Sequence, residues 1–232
     1  MRSEDLIKAL AADAEPVRRL ASPMLRLVSW LVASVTYVAI IVVVMGVRPD
    51  LPSRLTDPRF SIELGATFMT SVLAAAAAFC AGCPGRPNWE RLAPLPALGL
   101  WFLCLGEGCW QSFVAGGAPG LQFRIDFACF PSILLVSIAP VALMLIIIRR
   151  GAPIAPVTTT ALGALAAAAM GATALRLFHA QDASAMILVW QFGSVALLAG
   201  FGALMGRHIL PWPEPQIALQ PAGNSDQERR KP

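Results

Sequence analysis

Apolar residues in this chain run in long blocks, separated by short polar stretches rich in proline and charge. Six blocks stand out: Leu25–Val47, Ser61–Cys83, Leu92–Trp110, Ala128–Ile148, Ile154–Leu177 and Ala185–Met205. Each approaches the roughly 20 helical residues that cross a hydrocarbon core about 30 Å thick. The blocks are continuously apolar rather than alternating, which excludes the strands of a membrane barrel. A helix also pairs its own backbone N–H and C=O groups where lipid offers no partner. The pattern predicts an all-α fold, a polytopic transmembrane helix bundle of six spans over 25–208. A polar segment, 1–24, precedes it and a polar tail, 209–232, follows it. The first block is too long for the apolar region of a signal peptide. No small-residue cleavage site follows it at Gly46–Arg48, so a retained span is expected.

Composition agrees. Hydrophobic residues make up 56% of the 232 residues, charged residues 14%, and the mean hydropathy is +0.65. Soluble domains are nearer one quarter charged, so too few polar residues exist to cover a water-facing surface. The cations then set the orientation. With the N-terminus inside, the inner segments carry 13 Lys and Arg, and the outer segments 5: Arg48, Arg54, Arg59, Arg124 and Arg176. That imbalance predicts an N-in/C-in topology, both ends cytoplasmic. The net charge of +4 is therefore read as contact with membrane lipid headgroups. No direct nucleic acid binding is expected, because the chain has no phosphate loop and no basic recognition helix.

The first 24 residues are too polar to lie in the membrane. Ser3 is placed to cap a short helix with Glu4 and Asp5 in its first turn, and Leu6, Ile7 and Leu10 fall on one face. Such a helix either lies on the headgroups or docks that face in a partner's groove. The tail from Leu210 begins Pro-Trp-Pro-Glu-Pro and ends in polar residues, a composition that predicts disorder.

Chemistry-bearing side chains gather near the outer boundary. Glu63 starts the second span, Glu107 and Cys109 end the third, Asp126 and Cys129 begin the fourth, and His179 and Asp182 follow the fifth. Ionisable groups at membrane depth are either paired and functional or snorkel to the interface. Cys109 and Cys129 are compatible with a structural disulfide, a sensor thiol or inert packing. At the inner end of the second span, Cys80 and Cys83 form a single C-x-x-C, a weak metal or redox signal read first as packing. Gly163, Ala167 and Gly171, and then Gly202 and Gly206, recur every four residues, as in closely packed membrane helices. No nucleophile with its base and no zinc-protease helix is present, so no enzyme is expected. A small transporter or metal permease would need polar residues near the midplane of several spans. Few are present there.

Several stretches together resemble a known family. They are Asp5-Leu6-Ile7 with Ala11-Ala12-Asp13, Pro16-Val17-Arg18-Arg19, Arg48-Pro49-Asp50-Leu51 and Asp57-Pro58-Arg59-Phe60. Asp126-Phe127-Ala128-Cys129, Arg149-Arg150-Gly151-Ala152-Pro153, and Leu177-Phe178-His179 leading to Val189-Trp190 complete the set. Over about residues 3–208 the chain resembles the NrsF family, membrane-bound negative regulators of extracytoplasmic-function sigma factors in proteobacteria. The resemblance implies an anti-sigma factor of the bacterial inner membrane that holds its sigma factor through the cytoplasmic N-terminus. It makes Leu6, Ile7 and Leu10 the expected docking face. It also implies that outward-facing cysteines sense oxidants or heavy metals, with Cys129 in the first such position. A second would fall near Leu177–Ala180, where this chain has His179, and Trp190-Gln191 stands where the family pattern has Trp-His. The resemblance leaves three expectations: Cys109 substitutes as the partner of Cys129, Cys129 and His179 share a metal, or signal sensing in this chain is altered. No resident cofactor is implied, only a transient heavy-metal ion as signal.

Overall fold

A computed structural model of the chain describes residues 3–12, 20–120, 129–151, 155–179 and 187–210. Among the described residues every regular element is helical. The helices are α1 (Ser3–Ala12), α2 (Pro23–Met45), α3 (Leu51–Leu55), α4 (Pro58–Ala81), α5 (Leu95–Gly120), α6 (Cys129–Arg149), α7 (Pro156–Phe178) and α8 (Gly193–Ile209). A 3₁₀ turn (Asn88–Leu92) leads into α5, and a π-turn (Ile187–Phe192) leads into α8. Among the described residues, six segments are long and apolar enough to cross a membrane, as the block pattern predicts.

Local chemistry moves the boundaries from those of the blocks. Three spans start one residue after a capping position with proline first: Pro23, Pro58 and Pro156. Proline suits that position because its missing N–H has no intrahelical partner anyway. Ser22 accepts from Leu25 N at 3.3 Å and Asp57 accepts from Arg59 N at 3.0 Å, so two of these starts carry a side-chain cap. Gly46, at φ 86°, closes α2 in a conformation that disfavours a Cβ. The third span runs from Asn88 to Gly117, beyond the Trp110 at which its apolar block ends. The last runs to Ile209, and Leu210 behind it is buried.

The chain enters each span from alternate faces. Contacts join the start of α2 to the end of α4 (Arg26 Nη2 to Phe79 O, 3.0 Å) and the end of α6 to the end of α8 (Arg149 Nη2 to Ile209 O, 3.4 Å). These ends define a near face. The far face carries the end of α2, the start of α4 and the end of α7, where Arg48 N donates to Leu177 O at 3.1 Å.

Helix α7 is the hub: it packs against α4, α6 and α8, and 72% of its apolar window is buried. Small residues allow this. A Cβ added at Gly202 on α8 would stand 2.6 Å from Ala164 Cβ and 2.9 Å from Thr160 O of α7. Gly206 meets Val157 and Thr160 in the same seam, while Gly163 and Gly171 face Met144, Ser137 and Ile133 of α6. The expected stripe is therefore the packing surface of the hub. Trp30 of α2, wholly buried, donates its indole N–H to Pro140 O in α6 at 2.9 Å. Several buried hydroxyls donate to backbone carbonyls: Thr67 to Glu63 O (2.8 Å), Ser71 to Ala166 O (2.7 Å) and Ser137 to Ala167 O (3.1 Å).

Candidate functional site

The far face carries a compact ionic cluster, built from α2, α3, α4 and α7. Arg48 follows the turn at Gly46, and its side chain is completely buried. It grips Asp50 with two parallel hydrogen bonds, Nε to Oδ1 at 2.8 Å and Nη2 to Oδ2 at 2.7 Å. Arg54, one turn on, adds Nε to Oδ2 at 3.3 Å. The Arg48 hydrogen bonds, helped by Arg54, hold the Asp50 carboxyl well below the usual carboxylate range.

Deeper in the bundle, Glu63 on α4 meets Arg176 on α7. Nη2 to Oε2 is 3.3 Å and Nε to Oε1 is 3.2 Å, with both side chains only 7% exposed. That low exposure decides between the two sequence readings of Glu63: it is paired inside the bundle and does not snorkel. The Phe60 ring lies 4.8 Å from the Arg176 guanidinium and 5.8 Å from that of Arg48, so one aromatic ring serves two cations. Arg59 reaches the other way, donating to Cys104 O at 3.0 Å and to Gln111 Oε1 at 3.4 Å on α5. A cleft of about 80 Å³ opens between Arg54, Asp57, Arg59, Glu63 and Arg176.

The expected sensing residues stand at the far ends of α5, α6 and α7. Cys109 lies in the far half of α5 as a free, half-buried thiol. Cys129 is the first residue of α6, and its side chain lies outside the described residues, as do Asp126 and Asp182. His179 caps the C-terminus of α7, its N–H bonded to Leu175 O at 2.8 Å, next to the Leu177 carbonyl that holds Arg48. Among the described residues, no three of His, Cys, Asp and Glu converge to hold a metal.

Helix α1 forms as expected. All its described side chains are exposed, with Ile7 at 63%; the side chains of Leu6 and Leu10 lie outside the described residues, as does the tail over 211–232. Sequence reasoning missed the Arg48–Asp50 grip and the Glu63–Arg176 pair. The signal was present: an acid on one apolar span and a base on another, both near the same boundary, call for each other in lipid.

Comparison with known proteins decides the lineage. The family model for NrsF, "Negative regulator of sigma F", matches residues 10–212. The chain belongs to the NrsF family. It is similar to the anti-sigma-F factor NrsF of Caulobacter vibrioides (strain NA1000 / CB15N), at 29% identity over 91% of this chain and the whole of that protein. No solved structure matches it. Within this NrsF-family chain the Arg48-Pro49-Asp50 and Asp57-Pro58-Arg59-Phe60 motifs are the ones that build the ionic cluster.

Proposed function

We propose that this NrsF-family protein is an anti-sigma factor of the bacterial inner membrane, with both ends in the cytoplasm. Its N-terminal segment, residues 1–24, sequesters an extracytoplasmic-function sigma factor through Leu6, Ile7 and Leu10, keeping it from RNA polymerase. Oxidation, or capture of a heavy-metal ion, at Cys129 with Cys109 or His179 on the periplasmic side releases it. The observation that carries this reading is an amphipathic helix, α1, whose described side chains are all exposed, attached to the first span of a chain from a family of negative regulators of sigma F.

The far-face cluster supports the signalling half. The residue after Phe178 is His179, and two residues before it Leu177 O holds Arg48 N at the end of α2. Helix α2 begins at Pro23, where the docking segment ends. A change at the end of α7 thus reaches α2 through one hydrogen bond and the buried Arg48. A signal shifts the bundle only by as much as it prefers one arrangement to the other. The transporter alternative is disfavoured because buried hydroxyls of α4 and α6, those of Thr67, Thr70, Ser71 and Ser137, bond backbone carbonyls rather than line a path.

Co-purification from detergent-solubilised membranes tests the docking half. The full chain is expected to retain a co-expressed sigma factor, and a chain lacking residues 1–24 to lose it. Equal retention by both sinks the reading.

A further inference from the structure

The C-x-x-C at the near end of α4 is not used by any of this. Cys83 N–H bonds Cys80 O at 3.0 Å, closing a tight turn across Ala81 and Gly82. Turns of this kind keep their end Cα atoms within about 7 Å. A disulfide needs roughly 4.4–6.8 Å, so little backbone movement separates the two thiols from a bond. Both are free and half-buried.

Each sulfur also meets a guanidinium, one from α2 and one from the turn that follows α4. Arg26 Nη2 donates to Cys83 Sγ at 3.1 Å, and Arg86 Nη2 donates to Cys80 Sγ at 3.3 Å. Cys83 Sγ further donates to Phe79 O at 3.5 Å. Arg26 is buried at the head of α2, where it also binds Phe79 O at 3.0 Å and lies 5.4 Å from the Phe79 ring. Arg86 is 45% exposed and paired with Glu90 at 2.9 Å, so the Cys80 side of the pair faces the aqueous boundary. Packing thiols need no cations aimed at them. The thiolate is the nucleophile in disulfide exchange, and each guanidinium stands within hydrogen-bond distance of a sulfur that would carry that charge.

We propose that Cys80 and Cys83 are a redox-active dithiol at the near face, separate from the far-face sensing residues, and that small-molecule disulfides oxidise it. The Cys80 thiolate attacks one sulfur of the external disulfide and releases its other half as a thiolate. The Cys83 thiolate then attacks the Cys80 sulfur of the mixed disulfide and releases the second half. Two cysteine thiols lose two electrons, the external disulfide becomes two thiols, and the two protons leave with them. The product sulfurs are neutral, weak acceptors. Arg26 then loses its sulfur partner and keeps its polar contact with α4 through Phe79 O. This pair reports on the near-side redox state whatever α1 binds.

The test uses the full-length chain in detergent, equilibrated across glutathione buffers from reducing to oxidising. After acid quenching, free and formerly oxidised thiols are alkylated with light and heavy reagents and located by peptide mass spectrometry. Cys80 and Cys83 are expected to lose alkylation together, in a peptide lighter by two hydrogen atoms. Cys83→Ser should leave Cys80 as a mixed disulfide with glutathione, and Arg86→Gln should slow oxidation severalfold. Full alkylation of both residues in the most oxidising buffer overturns the proposal. So does a bond from either residue to another cysteine instead of to its neighbour.

Discussion

Glu63→Gln removes the carboxylate from a pair whose side chains are each 7% exposed. It leaves the Arg176 guanidinium buried without a counter-charge. Breaking one side of a buried ion pair costs about 3–5 kcal/mol, because the remaining charge is left uncompensated. The Phe60 ring at 4.8 Å stays in place and offsets this by on the order of 1–2 kcal/mol. The expected net loss is therefore about 2–3 kcal/mol. Arg176→Met should cost a similar amount. The double variant, Glu63→Gln with Arg176→Met, leaves no buried charge and should be less damaging than either single change. Reversible unfolding in mixed micelles, followed by far-UV circular dichroism and analysed as a double-mutant cycle, measures all four states. Two results refute the reasoning. One is a Glu63→Gln loss below about 0.5 kcal/mol, the size of an ordinary surface change. The other is a double variant whose loss equals the sum of the singles.

Three further outcomes are expected. Gly202→Leu forces α8 away from Ala164 and Thr160 and should lower stability by at least about 1–3 kcal/mol in the same assay, whereas Gly200→Leu, whose Cβ position is open, should change little. Asp57→Ala removes the cap on Arg59 N and should cost about 1 kcal/mol, recovered in large part by Asp57→Ser. Asp50 has a depressed folded-state value, so its contribution is complete above the unfolded value of about 3.9 and is lost as pH falls through the lower folded value. Wild type and Asp50→Asn should accordingly differ in melting temperature at pH 7 and converge in acid; a constant gap down to the most acidic pH at which both fold contradicts the grip by Arg48 and Arg54.

The spans were legible because a bilayer demands about 20 apolar residues in one stretch, and that demand is written locally. The helix seams were legible for a related reason: Gly163, Gly171, Gly202 and Gly206 repeat at the spacing of one helix face. Span ends were less so, since Ser22-Pro23 and Asp57-Pro58 set them by capping rather than by hydropathy. The ionic cluster was hidden because Glu63 and Arg176 stand 113 residues apart, and only the α4–α7 contact brings them together. Arg26 and Cys83 are 57 apart and were hidden in the same way. Each of those motifs was visible as residues; its partner was a matter of topology.

Transcription in a reconstituted system tests the central claim most directly. RNA polymerase, the sigma factor and a sigma-dependent promoter are combined with proteoliposomes that display the N-terminal segment outward. Wild-type proteoliposomes should suppress the transcript, and Ile7→Asp proteoliposomes should leave it near the level of empty liposomes. Undiminished transcription with the wild-type chain, at concentrations above that of the sigma factor, contradicts the account.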